Sequence, residues 1–265
     1  MTHAPAQLGP FRIEVDEDGI AVVTFDRPPV NSVSMEVYEA IGQLGPTIDA
    51  DDRIRVVILT APEDARAWCG GADLNDFKEL NSKTRKERYN RINELLPGLT
   101  EMPRPTIAAI NAHAIGIGVV LASLCDMRVA SEEAAFACRE IFYGLVPGEG
   151  GLLKYLGLPQ GVIREMLFTA RRFTASEMYD HGFLNRVVPR SDVMHTAKEI
   201  ASEIAVKSLP SLKALKETLL SIDGLPWDEA YVIAQDASTR FTEGKDASEG
   251  INAFLEGRQP RYRDN

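Results

Sequence analysis

Apolar and polar residues alternate along "FRIEVDEDGIAVVTFDRP": Phe11, Ile13 and Val15 are followed by Asp18-Gly19 and then by the run Ile20 to Phe25. A period of two broken by Asp-Gly predicts a β-hairpin. Ser34 stands before a stretch of helical periodicity and predicts an N-capped helix from Met35 to Ala50. "RVVILTAP" and "TIAAIN" are short continuous apolar runs, the signature of strands buried on both faces. Between them "RKERYNRINELLPGLTEM" reads as a polar-faced helix ended by Pro103 and Pro105. "HAIGIGVVLASLCD" predicts a glycine-spaced turn feeding a buried helix, and "MRVAS" and "AAFACRE" predict two more short strands.

After Gly150 the texture changes to several short helices, one last strand in "FLNRVVP", and helix almost throughout from Ser191 to Glu256. The pattern predicts an α/β protein, with a strand–helix core over 1–195 and a helical extension over 196–265 that serves packing and oligomerisation. No internal repeat or flexible linker interrupts it. Apolar positions such as Trp227, Tyr231, Ile233, Phe254 and Leu255 crowd the extension, which predicts that it packs on its own core or on another subunit. For Tyr231 core packing is the expectation.

Composition narrows the function. The chain has 265 residues, 29 Lys and Arg against 39 Asp and Glu, and a formal net charge of −10. No basic stripe is present to neutralise a nucleic-acid backbone. The three cysteines, Cys69, Cys125 and Cys138, lack metal-ligand spacing and fit a reduced, cytoplasmic setting better than a disulfide framework. The N-terminus has neither the charged nor the apolar region of a signal peptide. Residues 105–125 carry no charge over about a membrane span, but Asn111, His113, Gly116 and Gly118 within it suit a buried strand, turn and helix.

Candidate chemistry starts at that turn. Backbone N–H groups at a helix start attract negative charge, yet the stretch holds no lysine for a phosphate and no acid or base before Asp126. Two carboxylates lie further on, Glu140 in "CREIFYG" and Glu149 in "VPGEGG". Two carboxyls facing one pocket can split their pKa values into an acid and a base. By itself Glu140 reads first as the end of a strand paired with Arg139 or another surface cation, and Glu149 reads also as a first-turn residue of a helix. His113 reads as a hydrogen-bonded core residue, and Asp73 and Asp126 as acceptors of backbone hydrogen bonds.

Five segments in order resemble the enoyl-CoA hydratase/isomerase, or crotonase, superfamily: "DRPPVNSVS", "ARAWCGGADLNDF", "RPTIAAINAHAIGIGVVLASLCDMRVAS", "FACREIFYGLVPGEGG" and "FTEGKDASEGINAFLEGRQPRYRD". The likeness runs from about residue 11 to 263. It implies a crotonase-like spiral of β-β-α turns, a homotrimer or dimer of trimers, and an acyl-CoA thioester as substrate. Coenzyme A enters as part of the substrate, with no separate cofactor, metal, nucleic acid or membrane. By position, the resemblance makes the amides of Ala72 and Ile117 an oxyanion hole. Main-chain contacts to the coenzyme's adenine and pantetheine are expected from the Arg66–Leu74 segment, including Trp68 (a pocket or core aromatic), Gly71, Asp73 and Leu74, with Arg27 and Arg66 as candidate phosphate cations. Ile117 replaces a glycine common at that place, with bulk able to narrow the pocket.

The family's hydratases use two glutamates. One position falls on Glu140; the other falls on Val120, expected at the pocket, which accepts no proton. The resemblance therefore favours isomerase-type proton transfer on a fatty or branched acyl-CoA over hydration. Two other readings stay open: carbon–carbon bond hydrolysis or decarboxylation centred on Glu149, and a non-catalytic acyl-CoA-binding relative.

Overall fold

The structure, a computed structural model, describes residues 6–78, 81–148 and 157–263. Strands β1 (Ala6–Leu8), β2 (Phe11–Val15) and β3 (Ile20–Phe25) form an antiparallel meander. Gly19 supplies the φ of +78° that the turn requires, and Asp16 Oδ1 accepts the N–H groups of Asp18 and Ile20 at 3.1 and 2.9 Å. Then come β4 (Ser32–Val33), helix α1 (Met35–Asp49) and β5 (Val56–Thr60). Ser34 does occupy the N-cap of α1, but its side chain makes no capping bond and its Oγ is buried without a partner among the described residues. The segment before the second buried run holds two short strands that hydropathy does not reveal, β6 (Ala67–Cys69) and β7 (Gly71–Ala72), and a 3₁₀ turn over Leu74–Phe77.

Helices α2 (Ser82–Leu95) and α3 (Pro97–Thr100) split the expected single helix at Pro97. Strand β8 (Thr106–Ile110), strand β9 (His113–Ile115) and helix α4 (Ile117–Ser123) divide the uncharged 105–125 stretch among three elements. No described helix is long and apolar enough to cross a membrane. The chain continues through β10 (Met127–Ser131), β11 (Ala135–Ala137), a 3₁₀ turn over Glu140–Tyr143, α5 (Gln160–Thr169), β12 (Phe173–Thr174), α6 (Ala175–Asp180) and β13 (Arg186–Val188). It ends in helices α7 (Val193–Ala205), α8 (Leu209–Ile222), α9 (Trp227–Phe241) and α10 (Lys245–Glu256).

Two main sheets result. The larger runs β1-β2-β3-β5-β8-β10-β13, parallel from β3 onward. Val57, Leu59, Ala108 and Ile110 face the main core, while Val56, Ile58, Ile107 and Ala109 face a second apolar layer under α7. Burial on both faces explains the uninterrupted apolar runs. Ala197, Ala201 and Ala205, four residues apart, present small side chains to that layer. The expected 195/196 boundary thus falls inside a helix that packs on the sheet.

Lys216 ties α8 to the core by donating to Arg104 O and Asp126 Oδ2, both at 2.9 Å. Ser208 Oγ ties its start to α10 through Asp246 Oδ2 at 2.7 Å. Tyr231 does not pack in the core: it is half exposed and stacks on Trp227, with ring centroids 5.1 Å apart.

Candidate active site

The smaller sheet, ordered β12-β11-β9-β6, builds the site. Three of its members run parallel: β6 pairs with β9, and β9 with β11. The residues after each of these strands are therefore delivered to the same edge, where ligands bind in parallel sheets. Gly71 and Ala72 come after β6, Gly116 and Ile117 after β9, and Arg139 and Glu140 after β11. The register pairs Ala137 with Ile115, and the Gly116 N–H donates to Ala137 O at 2.7 Å. That pairing brings Glu140 beside a residue 24 positions earlier in the chain.

The approach is close. A methyl group added at Gly116 would lie 2.7 Å from Glu140 Oε1 and 3.8 Å from Gly71 Cα. Gly116 also holds φ +55° and ψ −122°, a conformation side chains resist. Glycine there serves the carboxylate's position as well as the turn. Gly118, two residues on, serves packing: a methyl group on it would meet Cys69 O at 2.7 Å. Ile117 opens α4, so its N–H has no acceptor inside the helix. The backbone of Glu140 is held by a 3₁₀ turn in which Phe142 N–H donates to Arg139 O and Leu145 N–H to Glu140 O, both at 3.0 Å.

A cleft of about 100 Å³ opens along this edge. The glycine loops and Glu140 form one side, and Leu74, Phe77, Tyr89, Ile115, Tyr143 and Leu145 give it an apolar wall. Arg85 and Arg139 line it too. Arg85 donates to Tyr89 Oη through Nε (3.2 Å) and Nη2 (3.0 Å), and its guanidinium lies 5.4 Å from the Phe77 ring centre. Arg139 lies 4.9 Å from the Phe142 ring centre.

The enoyl-CoA hydratase/isomerase family model matches residues 16–265. The carnitinyl-CoA dehydratase of Proteus mirabilis is 32% identical over 249 residues, covering 91% of this chain and 94% of that protein. The chain belongs to the enoyl-CoA hydratase/isomerase family. The short-chain-enoyl-CoA hydratase of Clostridium acetobutylicum is 30% identical over 247 residues, with 92% and 94% covered. The solved structure of an enoyl-CoA hydratase from Bacillus anthracis superposes with a TM-score of 0.89 at 29% identity, across 97% of this chain and all of that one. That of Mycobacterium smegmatis gives 0.90 at 26%, across 96% and 98%. The crotonase fold of the family, with its C-terminal helices, is the fold of this chain.

Against this family background the expected site residues separate. Gly71, Ala72, Leu74 and Glu140 line the cleft. Trp68 and Val120, expected among substrate contacts, are instead core residues, 2% and 0% exposed and absent from the lining. Trp68 Nε1 donates to Leu59 O at 3.4 Å. Ile117 likewise packs its side chain in the core, so its bulk is spent there rather than in the cleft. Arg27 and Asp73 are paired at 2.9 Å, and Asp73 accepts the Asn75 N–H that caps the 3₁₀ turn at 3.1 Å. The Asn75 amide and then the Arg27 guanidinium hold the Asp73 carboxyl below the usual range. This pair braces the loop next to Ala72. Arg66 is exposed and outside the lining. Glu149 lies outside the described residues.

Burial pushes the Cys69 thiol up to about 12, which keeps it from acting as a nucleophile. His113 Nδ1 accepts the Ala135 N–H at 3.1 Å, and burial, then Arg172 and Arg190, lower its pKa. Arg85, Tyr89 and Phe77 escape sequence reading. The only signal is the four-residue spacing of Arg85 and Tyr89 on one helix face, which means nothing until that face meets a cleft.

Proposed function

We propose that the protein is an enzyme that processes an acyl-CoA thioester through an enolate, moving a proton between carbons rather than adding water. Relatives named for action on CoA thioesters support the substrate class. One observation carries the reaction: among the described residues a single carboxylate, Glu140, lines the cleft and lies against Gly116, while the other hydratase position is Val120, sealed in the core. In the proposed mechanism the thioester oxygen accepts the N–H groups of Ala72 and Ile117. Glu140 takes a proton from the carbon beside the carbonyl, and the electron pair moves onto the held oxygen. Returning the proton two carbons further along the chain relocates a double bond and consumes no water. Removing one oxyanion donor typically costs about 3 kcal/mol in the barrier, and a positioned general base contributes roughly 10²- to 10⁴-fold.

The test is mass spectrometry of saturated, 2-enoyl- and 3-enoyl-CoA thioesters incubated with the protein in D₂O. Enzyme-dependent deuterium uptake and interconversion of the two enoyl isomers, both lost in Glu140→Gln with ligand binding retained, are expected. A fully active Glu140→Gln overturns the assignment. Cleavage products that vanish in Glu149→Gln would instead establish carbon–carbon bond hydrolysis or decarboxylation. That second reading is favoured by one fact: Glu149 directly follows Gly148, a lining residue. Tight thioester binding with neither uptake nor products would establish the non-catalytic acyl-CoA-binding relative.

A further inference from the structure

The cleft's two arginines have no part in that chemistry. Enolate formation needs donors at the carbonyl and a base at the neighbouring carbon, and both are supplied without them. Their surroundings make them costly. Leu74, Phe77, Tyr89, Ile115, Tyr143 and Leu145 form the rest of the wall, and the lining contains two guanidiniums against one carboxylate among the described residues. Arg139 Nε is buried with no hydrogen-bond partner among those residues, and its guanidinium face rests on Phe142. Arg85 spends Nε and Nη2 on Tyr89 Oη, which fixes its plane against Phe77.

Seating a plain hydrocarbon chain here would strip water from both cations and return no hydrogen bond. A carboxylate matches a guanidinium fork with two parallel charge-assisted bonds. The cations expected to meet the coenzyme's phosphates, Arg27 and Arg66, lie outside this lining.

Resting on the thioester reading, we propose that the cleft selects acyl-CoA thioesters whose acyl chain ends in a carboxylate, bound by Arg85 and Arg139. The substrate class is then the monothioester of a dicarboxylic acid.

Titration calorimetry at 0.15 M salt tests this with glutaryl-CoA, pentanoyl-CoA and free coenzyme A. Glutaryl-CoA is expected to bind about 10- to 100-fold tighter than pentanoyl-CoA, the range for one or two hydrogen bonds to a charged group. In the double variant Arg85→Gln/Arg139→Gln that ratio is expected to fall to near one through loss of glutaryl-CoA affinity alone. Arg85→Lys/Arg139→Lys, which keeps both charges, is expected to retain part of it. Equal affinities for the two thioesters in the unmodified protein overturn the proposal and leave the thioester reading standing. An equal loss for all three ligands in the Gln variant overturns it as well, because the arginines then serve the coenzyme's phosphates. Failure of the unmodified protein to bind any of the three overturns the thioester reading and this one together.

Discussion

Two groups of charged side chains, each built around partly or fully buried cations, follow opposite plans. At the foot of α8, Asp126 Oδ2 accepts Thr106 N–H at 2.6 Å, Thr106 Oγ1 at 2.9 Å and Lys216 Nζ at 2.9 Å, and Lys216 also donates to Arg104 O. Arg104, fully buried, donates to Ile54 O, Pro103 O and Asp49; its Nη2 has no described partner, but at 0% exposure no ligand reaches it. At the cleft, Arg139 and Arg85 lean on aromatic faces and border open space. Charges closed on one another hold the fold together. Charges left bordering a cavity are available to a ligand.

Substitutions break or sharpen that contrast. Lys216→Ala removes a buried ammonium and leaves Arg104 O without its donor, and is expected to cost about 1–3 kcal/mol of unfolding free energy in denaturant melts; a loss under about 0.5 kcal/mol would erase the distinction. Gly116→Ala sets a methyl 2.7 Å from Glu140 Oε1 at a φ of +55°. Displacing the carboxylate by about an ångström is expected to lower turnover roughly 10²-fold, measured as deuterium exchange with a 3-enoyl-CoA. Unchanged turnover would mean that the position of Glu140 does not matter.

His113 gives a smaller, pH-dependent effect. Its folded pKa lies below the usual 6.5, so the folded state binds fewer protons than the unfolded one. Stability is full above pH 6.5 and falls as pH drops from 6.5 toward the folded value. Comparing melts of the unmodified protein and His113→Gln at pH 7.5 and 5.5 should show a shallower acid loss in the variant. Smallest of all, Arg139→Gln is expected to move stability by no more than about 0.5 kcal/mol, since the Arg139 Nε makes no hydrogen bond among the described residues and the guanidinium rests on an exposed ring, Phe142. A destabilisation like that of Lys216→Ala would make it structural.

Much of the frame was legible along the chain. Asp18-Gly19 announced its hairpin, and the runs at 56–60 and 106–110 announced strands covered on both sides. The two-residue strands β4 and β7 were not, because segments so short carry no periodicity and exist only through the Ser32–Gly71 and Val33–Ala72 pairing. Order of motifs pointed to Ala72, Ile117 and Glu140, but not to what Trp68 or Arg85 faces. Trp68 stands in the same motif as the cleft glycines, yet β6 alternates its faces and turns that ring into the core.

By itself the sequence determined the hairpin, the buried strands, the helical end and the family, since each is a property of local spacing or of motifs in order. Only the tertiary structure decided which charges enclose one another and which border the cleft. Those neighbours are set by parallel register between strands far apart in the chain, as when Ala137 against Ile115 brings Glu140 to Gly116. No local pattern records that register, because it is fixed by the burial of side chains from several elements at once.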